Sequence, residues 1–249
     1  MIQTLTSLKD DGFAYLPPEF YYRQTTSGYP RHLHHLQNSF TALKLDTYSP
    51  GHRFRAHSAF RWNSTQCRFI QDPMDFYQAP TYNYVDGGIN RKFERVSAEV
   101  LHNPIFKSLL KKNMEMAQQS DLIEFNETLV MQIHLIRYSP QGEEPAFATP
   151  TWLHRDDEPL TFLHLIQLTS NIIGGDSVIA TNETYISKVT RLATPLQTYA
   201  VNQKYLHAVT PMGKRDEEPG FRDIVIIDFM NKDPNERLIK FMMFLLDHM

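Results

Sequence analysis

Long apolar runs in the second half of the chain predict strands that are buried on one or both faces. Residues 159–168, PLTFLHLIQL, are nearly continuously apolar, which is typical of a strand covered on both sides. Residues 221–229 form a second such run, and it opens with Arg222. Residues 130–138 instead alternate, which predicts one face with Met131, Ile133, Leu135 and Arg137 and an opposite face with Gln132, His134, Ile136 and Tyr138.

Two short polar interruptions predict turns between further strands. Gly174 and Gly175 lie between apolar segments, as in a tight turn. The turn-like pair Asn202-Gln203 separates two strand-like segments, so we expect a hairpin whose returning strand carries His207.

Helical patterns occur at both ends and in the middle of the chain. Residues 5–11 predict a short helix that leads through Gly12 into a strand, and residues 103–118 predict a longer helix. Residues 234–249 are apolar on nearly all sides of a predicted helix. Such a helix must pack on the rest of the protein or on a second subunit, so a homodimer is one of two arrangements that the sequence allows.

Length and composition predict one large domain over residues 1–249. A chain of 249 residues with 41% hydrophobic content can bury a sizeable core. Its formal charge of -3 and scattered basic residues disfavour nucleic acid as a partner. No apolar run approaches the roughly 20 residues that span a membrane, and the first residues lack a secretory signal pattern. We therefore expect a cytoplasmic protein.

The single cysteine, Cys67, excludes an intrachain disulfide and a thiolate-rich metal site. We expect it to be a small buried side chain rather than a reactive thiol.

The most informative chemistry lies in residues 151–158, TWLHRDDE. His154 and Asp156 stand two residues apart just before a predicted buried strand, and His207 follows far downstream. Two histidines and one carboxylate can hold Fe(II) while leaving positions open for a cosubstrate and O₂. The triplet alone is also compatible with an ordinary surface turn.

Arginines offer candidate partners for carboxylate ligands. Arg222 opens a strand fifteen residues beyond His207, where a guanidinium can bind a carboxylate in bidentate fashion. Arg53 and Arg55 lie in a strand-like segment of alternating basic and apolar residues, and either could bind a substrate carboxylate.

The order of H-x-D, a distant histidine and an arginine on the next strand resembles the Fe(II)/2-oxoglutarate-dependent dioxygenases. The segments LHRDDEPLTFLHLIQL, IGGD and LHAVTP resemble the bacterial free L-amino-acid hydroxylases, the branch typified by L-isoleucine dioxygenase. The resemblance covers roughly residues 75–230, which is also the expected core of the domain.

This resemblance implies a fold that is mostly β with flanking helices around a double-stranded β-helix (jelly-roll, cupin-like) core. It implies His154, Asp156 and His207 as iron ligands, with Arg222 and Tyr138 binding 2-oxoglutarate. Many members place Ser or Thr two residues after that arginine, whereas this chain has Ile224. The implied reaction uses Fe(II), 2-oxoglutarate and O₂ to hydroxylate an aliphatic or thioether L-amino acid, and it releases succinate and CO₂.

A free amino acid requires a cation for its carboxylate and an acceptor for its ammonium. Candidates for the first are Arg137, Arg53 and Arg55, and candidates for the second are Asp157, Glu158 and Asp86. Gln132 and His134 share a strand face with Tyr138 and are further candidates for the lining of the site. Arg137 in a structural ion pair and His134 in the core are the alternative interpretations.

Three other functions are also compatible with the sequence. The nucleic-acid demethylase branch of the superfamily shares the H-x-D triplet, although the low positive charge disfavours it. A peptide-bound or carrier-bound residue could replace the free amino acid. A non-catalytic, cupin-like metal-binding protein would not need Arg222.

Overall fold

The computed structural model describes residues 8–49, 51–148, 150 and 152–232. Strands dominate this part of the chain. They are β1 (Phe13–Leu16), β2 (Lys44–Leu45), β3 (Arg53–Asn63), β4 (Arg68–Asp72), β5 (Leu129–Tyr138), β6 (Leu160–Leu168), β7 (Ile172–Gly174), β8 (Ser177–Asn182), β9 (Tyr185–Thr190), β10 (Thr198–Asn202), β11 (Leu206–Val209), β12 (Met212–Lys214) and β13 (Arg222–Asn231).

In the described ranges, helices precede or interrupt the strands. They are α1 (Pro18–Tyr21), α2 (Tyr29–Ser39), α3 (Ala98–His102) and α4 (Pro104–Gln119), with a 3-10 turn at Phe40–Ala42 and helical residues at 8–11. The helix predicted over 103–118 is confirmed. Asn103 caps α4 by accepting from the backbone N–H groups of Ile105 and Phe106, and Pro104 suits the first helical position.

Antiparallel pairing arranges the strands in one large sheet and two small ones. The large sheet has the order β1-β10-β6-β13-β5-β3-β2, with β4 paired to β3. The small sheets are β11-β8-β9 and β12-β7. The predicted buried strands of residues 159–168 and 221–229 are confirmed as β6 and β13, which are neighbours in the large sheet.

The two faces of the large sheet have different environments. The outer face packs against α4, where Phe106, Leu109 and Met116 are fully buried in one cluster with Ile133 of β5 and Phe229 of β13. The inner face packs towards the small sheets in a second cluster. Each fully buried side chain of this kind contributes about 1.5–3 kcal/mol to folding. The helices therefore cover one side and leave the inner side for the site.

The predicted hairpin of residues 198–211 is wrong. Strand β10 lies in the large sheet between β1 and β6, whereas β11 pairs with β8 in a small sheet. Residues 203–205 therefore cross from one sheet to the other. Local alternation is the same whether two strands pair with each other or with separate partners, so the sequence pattern did not distinguish these arrangements.

The glycine turn is confirmed and has a steric cause. Gly174 and Gly175 both have positive φ, +73° and +74°, between β7 and β8. A Cβ on Gly174 would overlap the carbonyl oxygen of Pro211, so a larger residue cannot occupy this turn without displacing the chain.

The expectation of a buried cysteine is wrong. Cys67 is exposed in the turn between β3 and β4, where its thiol lies 3.4 Å from the carbonyl oxygen of Ser64. The turn is too short to fold back on the core, so its side chains point to solvent.

Two expectations stay predictions. The helix of residues 234–249, and with it the homodimer arrangement, lies outside the described residues. The single domain over residues 1–249 also stays a prediction. No helix in the described ranges is long and apolar enough to cross a membrane.

Candidate active site

A cavity lies between the inner face of the large sheet and the small sheet of β11, β8 and β9. Alternate residues of the large-sheet strands point into it, as the pleat requires. Its lining from the large sheet is Arg53, Arg55, His134, Ile136, Tyr138, Thr161, Leu163, Tyr199, Val201, Arg222, Ile224, Ile226 and Asp228. The small sheet contributes Ser177, His207, Ala208 and Val209, and loops contribute Phe76, Gln78, Arg91, Ala148, His154, Asp156 and Glu158.

His154, Asp156 and His207 converge at one wall of this cavity. Their candidate ligand atoms all lie within 4.8 Å of one another, the geometry needed to hold a metal ion. The Nε2 atoms of His154 and His207 lie 3.5 Å and 3.2 Å from the two carboxylate oxygens of Asp156. A two-histidine, one-carboxylate set suits Fe(II) and leaves further coordination positions free.

Backbone pairing fixes this convergence. His154 and His207 form an isolated antiparallel bridge, with N–H to carbonyl distances of 3.0 Å and 2.9 Å in the two directions. The side chain of Gln203, in the crossover between sheets, donates to the carbonyl oxygens of Asp156 and Asp157 at 3.0 Å and 2.9 Å. Strand β11 and the loop before it therefore fix the position of the loop that carries His154 and Asp156.

Electrostatics favour the charged carboxylate and a defined imidazole. Burial alone would raise the pKa of Asp156, but His207 and His154 outweigh burial and lower it. Burial would lower the pKa of His154, but the hydrogen bond and charge of Asp156 raise it. His154 Nδ1 lies 2.7 Å from the carbonyl oxygen of Trp152, which can only accept, so Nδ1 carries a proton. Nε2 is therefore the ring nitrogen that faces Asp156, at 3.5 Å, and the one left to bind a metal.

Arg222 is a buried cation at another wall of the same cavity. It is 1% exposed, and its Nε and Nη2 atoms have no hydrogen-bond partner among the described residues. The hydroxyls of Tyr15 and Tyr199 are likewise buried without a partner there. An unpaired buried charge is costly, so this pocket suits a carboxylate ligand.

Neighbouring residues shape this anion pocket. Tyr138 lies directly beside Arg222 in the pairing of β5 and β13. A Cβ on Gly175 would approach Arg222 Cδ to 3.4 Å, so the glycine turn packs closely on the guanidinium stem. Burial raises the pKa of Tyr15 to about 12 against the lowering effect of Arg222. Tyr15 and Tyr199 were missed at the sequence level, because nothing in their flanking residues distinguishes them from core tyrosines.

A second group of arginines lines the other side of the cavity. Arg53 donates to Asp46 through Nε at 2.9 Å and Nη2 at 2.7 Å. Arg55 lies over the rings of Phe76 and Phe93, at 4.4 Å and 4.9 Å, and its Nη2 lies 2.7 Å from His134 Nδ1. Arg91 lies 5.3 Å from the Phe76 ring. The loop residue Arg91 was missed, because loops have no periodicity from which to predict orientation.

Two carboxyl groups lie close together near this arginine group. Gln132 donates through Nε2 to Glu158 at 3.3 Å and to Asp228 at 3.2 Å. Burial and the charges of Asp156 and Asp157 raise the pKa of Glu158 to about 8, and burial and the charges of Glu158 and Asp156 raise the pKa of Asp228 well above its usual value. Asp228 was missed, although alternation from Arg222 through Ile224 and Ile226 predicts that it shares their face.

Histidines connect these groups and are neutral. His134 lies between Arg55 and Asp228, with Nε2 3.3 Å from an Asp228 oxygen. Burial and the arginine charges lower its pKa well below the usual value. His57 lies 3.1 Å from Gln132, and burial lowers its pKa to about 3. Gln132 and His134 thus lie on the inner face as the alternation predicts.

Three predicted substrate residues do not reach the cavity. Arg137 lies on the opposite face of β5 and forms two 2.7 Å hydrogen bonds with Asp223, which is the structural ion pair of the alternative interpretation. Asp86 accepts a hydrogen bond from the buried hydroxyl of Ser49. Asp157 is held by its backbone to Gln203 and does not line the cavity. Arg53 lines it, but its guanidinium is bound to Asp46.

Comparison with known proteins identifies the family. The family described as "2OG-Fe dioxygenase" matches residues 37–228. The chain is 35% identical to L-isoleucine-4-hydroxylase of Bacillus thuringiensis, over 79% of this chain and 82% of that protein. It is 32% identical to 3(1)-hydroxy-L-isoleucine 4-dioxygenase of Pantoea ananatis (strain AJ13355), over 94% and 97%.

Solved structures agree with this assignment. The crystal structure of IDO from Bacillus thuringiensis has a TM-score of 0.83 at 30% identity and covers 93% of this chain and 99% of that chain. A bsmA homolog from Methylobium petroleophilum PM1, at 20% identity, shares the fold with a TM-score of 0.80 and 92% coverage of both chains. The jelly-roll prediction is confirmed. The chain belongs to the 2OG-Fe dioxygenase family and is an oxygenase that uses Fe(II), 2-oxoglutarate and O₂.

Proposed function

We propose that this enzyme hydroxylates a free L-amino acid with an aliphatic, isoleucine-like side chain. The observation that carries the proposal is a single cavity that contains both a converging His-Asp-His set and an unpaired buried arginine. Both relatives are named for activity on isoleucine or a hydroxylated isoleucine, which supports the substrate class. A thioether side chain of similar length is the neighbouring substrate to test.

His154, Asp156 and His207 would hold the iron, and Arg222 with Tyr138 would bind the distal carboxylate of 2-oxoglutarate. The donor set suits Fe(II), because two imidazole nitrogens and one carboxylate leave open positions. The two unpartnered nitrogens of Arg222 suit a bidentate carboxylate. The iron with 2-oxoglutarate and O₂ supplies an oxidant that inserts one oxygen atom into a C–H bond, while the other oxygen atom enters succinate as CO₂ leaves.

The remaining lining orients the substrate and excludes water. Leu163, Val201 and Ile226 provide an apolar wall on the large sheet, and Ala208 and Val209 provide one on β11. An aliphatic side chain gains about 25 cal/mol for each Å² that it buries against such a wall. A charged side chain would lose its hydration there without a partner.

Succinate release tests the proposal. The enzyme is reconstituted with Fe(II) without oxygen, and then supplied with 2-oxoglutarate and air beside each standard L-amino acid in turn. We expect isoleucine-like amino acids to stimulate succinate release and to gain one oxygen atom by mass spectrometry. His154→Ala should abolish turnover, while His34→Ala, on the exposed side of α2, should retain it. Succinate release without any hydroxylated amino acid would reject the free amino acid as substrate.

A further inference from the structure

The side of the cavity next to Phe76 carries an excess of buried positive charge. Arg55 is 7% exposed and Arg91 is 1% exposed, and both guanidinium groups lie near the Phe76 ring. Asp46 forms its close contacts with Arg53, and its oxygen lies 4.0 Å from Arg55. The Nε atoms of both Arg55 and Arg91 are buried without a hydrogen-bond partner in the described ranges. Two donors are therefore available to an anion.

A few ångströms away the cavity carries buried acidic groups. Glu158 and Asp228 are 5% and 3% exposed, and no described lysine or arginine lies within 4.0 Å of either carboxyl group. The amide of Gln132 donates to one oxygen of each and holds them side by side. Thr161, paired with Asp228 across β6 and β13, has a buried hydroxyl without a partner among the described residues. This side therefore suits a cation with several N–H donors.

His134 sets the distance between the two sides. Its Nδ1 lies 2.7 Å from Arg55 Nη2, and its Nε2 lies 3.3 Å from Asp228. The cationic and anionic sides are thus one imidazole ring apart. The carboxylate and ammonium of an α-amino acid are carried by the same carbon atom, so a single molecule can reach both sides.

Binding of such a molecule would also remove an energetic cost. Leaving the buried guanidinium groups of Arg55 and Arg91 without an opposite charge is strongly unfavourable, and the penalty is relieved only by a well-placed, hydrogen-bonded anion. A zwitterion supplies a carboxylate to the guanidinium groups and N–H donors to the two carboxyl groups at once. An uncharged ligand, or one with a single charge, leaves one side unpaired.

We propose that Arg55 and Arg91 bind the α-carboxylate of the substrate, while Glu158 and Asp228 bind its α-ammonium. This proposal rests on the proposed function and names the groups that recognise the amino acid. His134 and Gln132 act as positioning residues, because each contacts the binding groups rather than completing a charge pair with the ligand. A peptide-bound or carrier-bound residue has no free α-carboxylate, so the buried arginine side selects against it.

Binding of three related ligands tests the assignment. The ligands are L-isoleucine, L-isoleucinamide, which lacks the carboxylate, and 3-methylpentanoate, which lacks the ammonium. Their Kd values are measured by calorimetry without oxygen on the enzyme loaded with Fe(II) and 2-oxoglutarate. The variants are Arg91→Gln and Asp228→Asn. Arg61→Gln and Asp223→Asn are matched controls, because both residues form ion pairs away from the cavity.

The expected pattern is selective. Arg91→Gln should raise the Kd of L-isoleucine about tenfold or more, the size of a lost hydrogen bond to a charged group. It should change the Kd of the amide less than about threefold. Asp228→Asn should raise the Kd of L-isoleucine by a similar factor and leave the Kd of 3-methylpentanoate nearly unchanged. The controls should leave all three Kd values unchanged. If Asp228→Asn does not fold, Glu158→Gln carries the same expectation.

Other outcomes separate this proposal from the proposed function. Suppose that the unmodified enzyme hydroxylates L-isoleucine, but each variant raises the Kd values of all three ligands equally or changes none of them. The assignment of these residues is then wrong, and the proposed function stands. If another amino acid is the one hydroxylated, that amino acid, its amide and its deaminated analogue replace the three ligands. If no free amino acid binds or is hydroxylated, both proposals fail.

Discussion

At the scale of single residues, the cavity separates buried charges by whether they already have a partner. Arg137 and Asp223 satisfy each other on the outer side of the sheet. Arg222, Arg55 and Arg91 keep buried nitrogen atoms without a partner in the described part of the chain. The first kind of charge stabilises the fold, whereas the second kind marks where ligands with opposite charge bind.

Arg222→Lys should weaken the binding of 2-oxoglutarate more than the binding of the amino acid. A lysine keeps the charge but loses the two parallel N–H groups that match a carboxylate. We expect the KM for 2-oxoglutarate to rise by about tenfold or more with a small change in the KM for the amino acid. Initial rates of succinate formation measure both. Arg61→Lys, at an ion pair away from the cavity, is the control, and equal rises in the two KM values would contradict the assignment of Arg222.

Arg137→Gln should lower the stability of the protein and leave substrate binding unchanged. Asp223 is fully buried and would lose its ion-pair partner, which costs about 3–5 kcal/mol for a buried pair. Because Arg137 is 15% exposed, we expect about 2–3 kcal/mol of lost stability, with KM values for both substrates unchanged. Urea unfolding and steady-state kinetics measure the two effects. A rise in the KM of the amino acid at unchanged stability would instead indicate that Arg137 binds the substrate.

At the scale of elements, a crossover and a glycine turn build the site from separate sheets. The β10–β11 crossover moves the chain from the large sheet to the small one, and Gln203 within it holds the loop of Asp156. The β7–β8 turn packs against Pro211 and Arg222. The ligand groups are therefore placed by connections between sheets rather than within one strand pair.

Gly174→Ala should destabilise the protein more than Gly142→Ala. Both glycines have positive φ, which costs a non-glycine residue about 1–2 kcal/mol. Only Gly174 also faces a backbone carbonyl, whereas a Cβ on Gly142 would meet nothing within 4 Å. We expect Gly142→Ala to lose about 1 kcal/mol and Gly174→Ala at least about twice that. Equal losses in urea unfolding would show that the Pro211 contact is not limiting.

Sequence patterns predicted the elements better than their connections. Periodicity identified β5, β6, β13 and α4, because each has an extended buried face. The order of His154, Asp156, His207 and Arg222 predicted which chemistry would meet in space. Pairing of β10 and β11 with separate sheets depends on long-range contacts and left no local signal. For the same reason Arg91 and the tyrosine hydroxyls became visible only in the folded chain.

At the scale of the whole molecule, one face of the large sheet forms the apolar core and the other forms the candidate active site. The helices cover the outer face with an apolar cluster, and the inner face carries the polar cavity. Neutral histidines occur on both sides: His57 lies with the cavity network, and His164 is fully buried between Asn113 and Thr198. Stability should therefore depend on pH through these rings.

His164 should make the protein less stable in acid. Burial lowers its folded pKa to about 3 from an ordinary 6.5, so below pH 6.5 the unfolded chain binds a proton that the folded chain does not. The free energy of unfolding is therefore unaffected by His164 above pH 6.5, and it falls by about 1.4 kcal/mol for each pH unit as the pH drops from 6.5 towards 3. We expect His164→Gln to reduce the slope of unfolding free energy between pH 6.5 and 5 by roughly that amount. An identical slope in both proteins would contradict a neutral buried His164.

The most direct test of the central claim is the fate of both atoms of ¹⁸O₂ when the Fe(II) enzyme turns over 2-oxoglutarate with L-isoleucine. We expect one labelled oxygen in a hydroxylated amino acid and the other in succinate, in equal amounts, with neither product formed by His154→Ala. Labelled succinate without a labelled amino acid would contradict the claim that this cavity positions a free amino acid for hydroxylation.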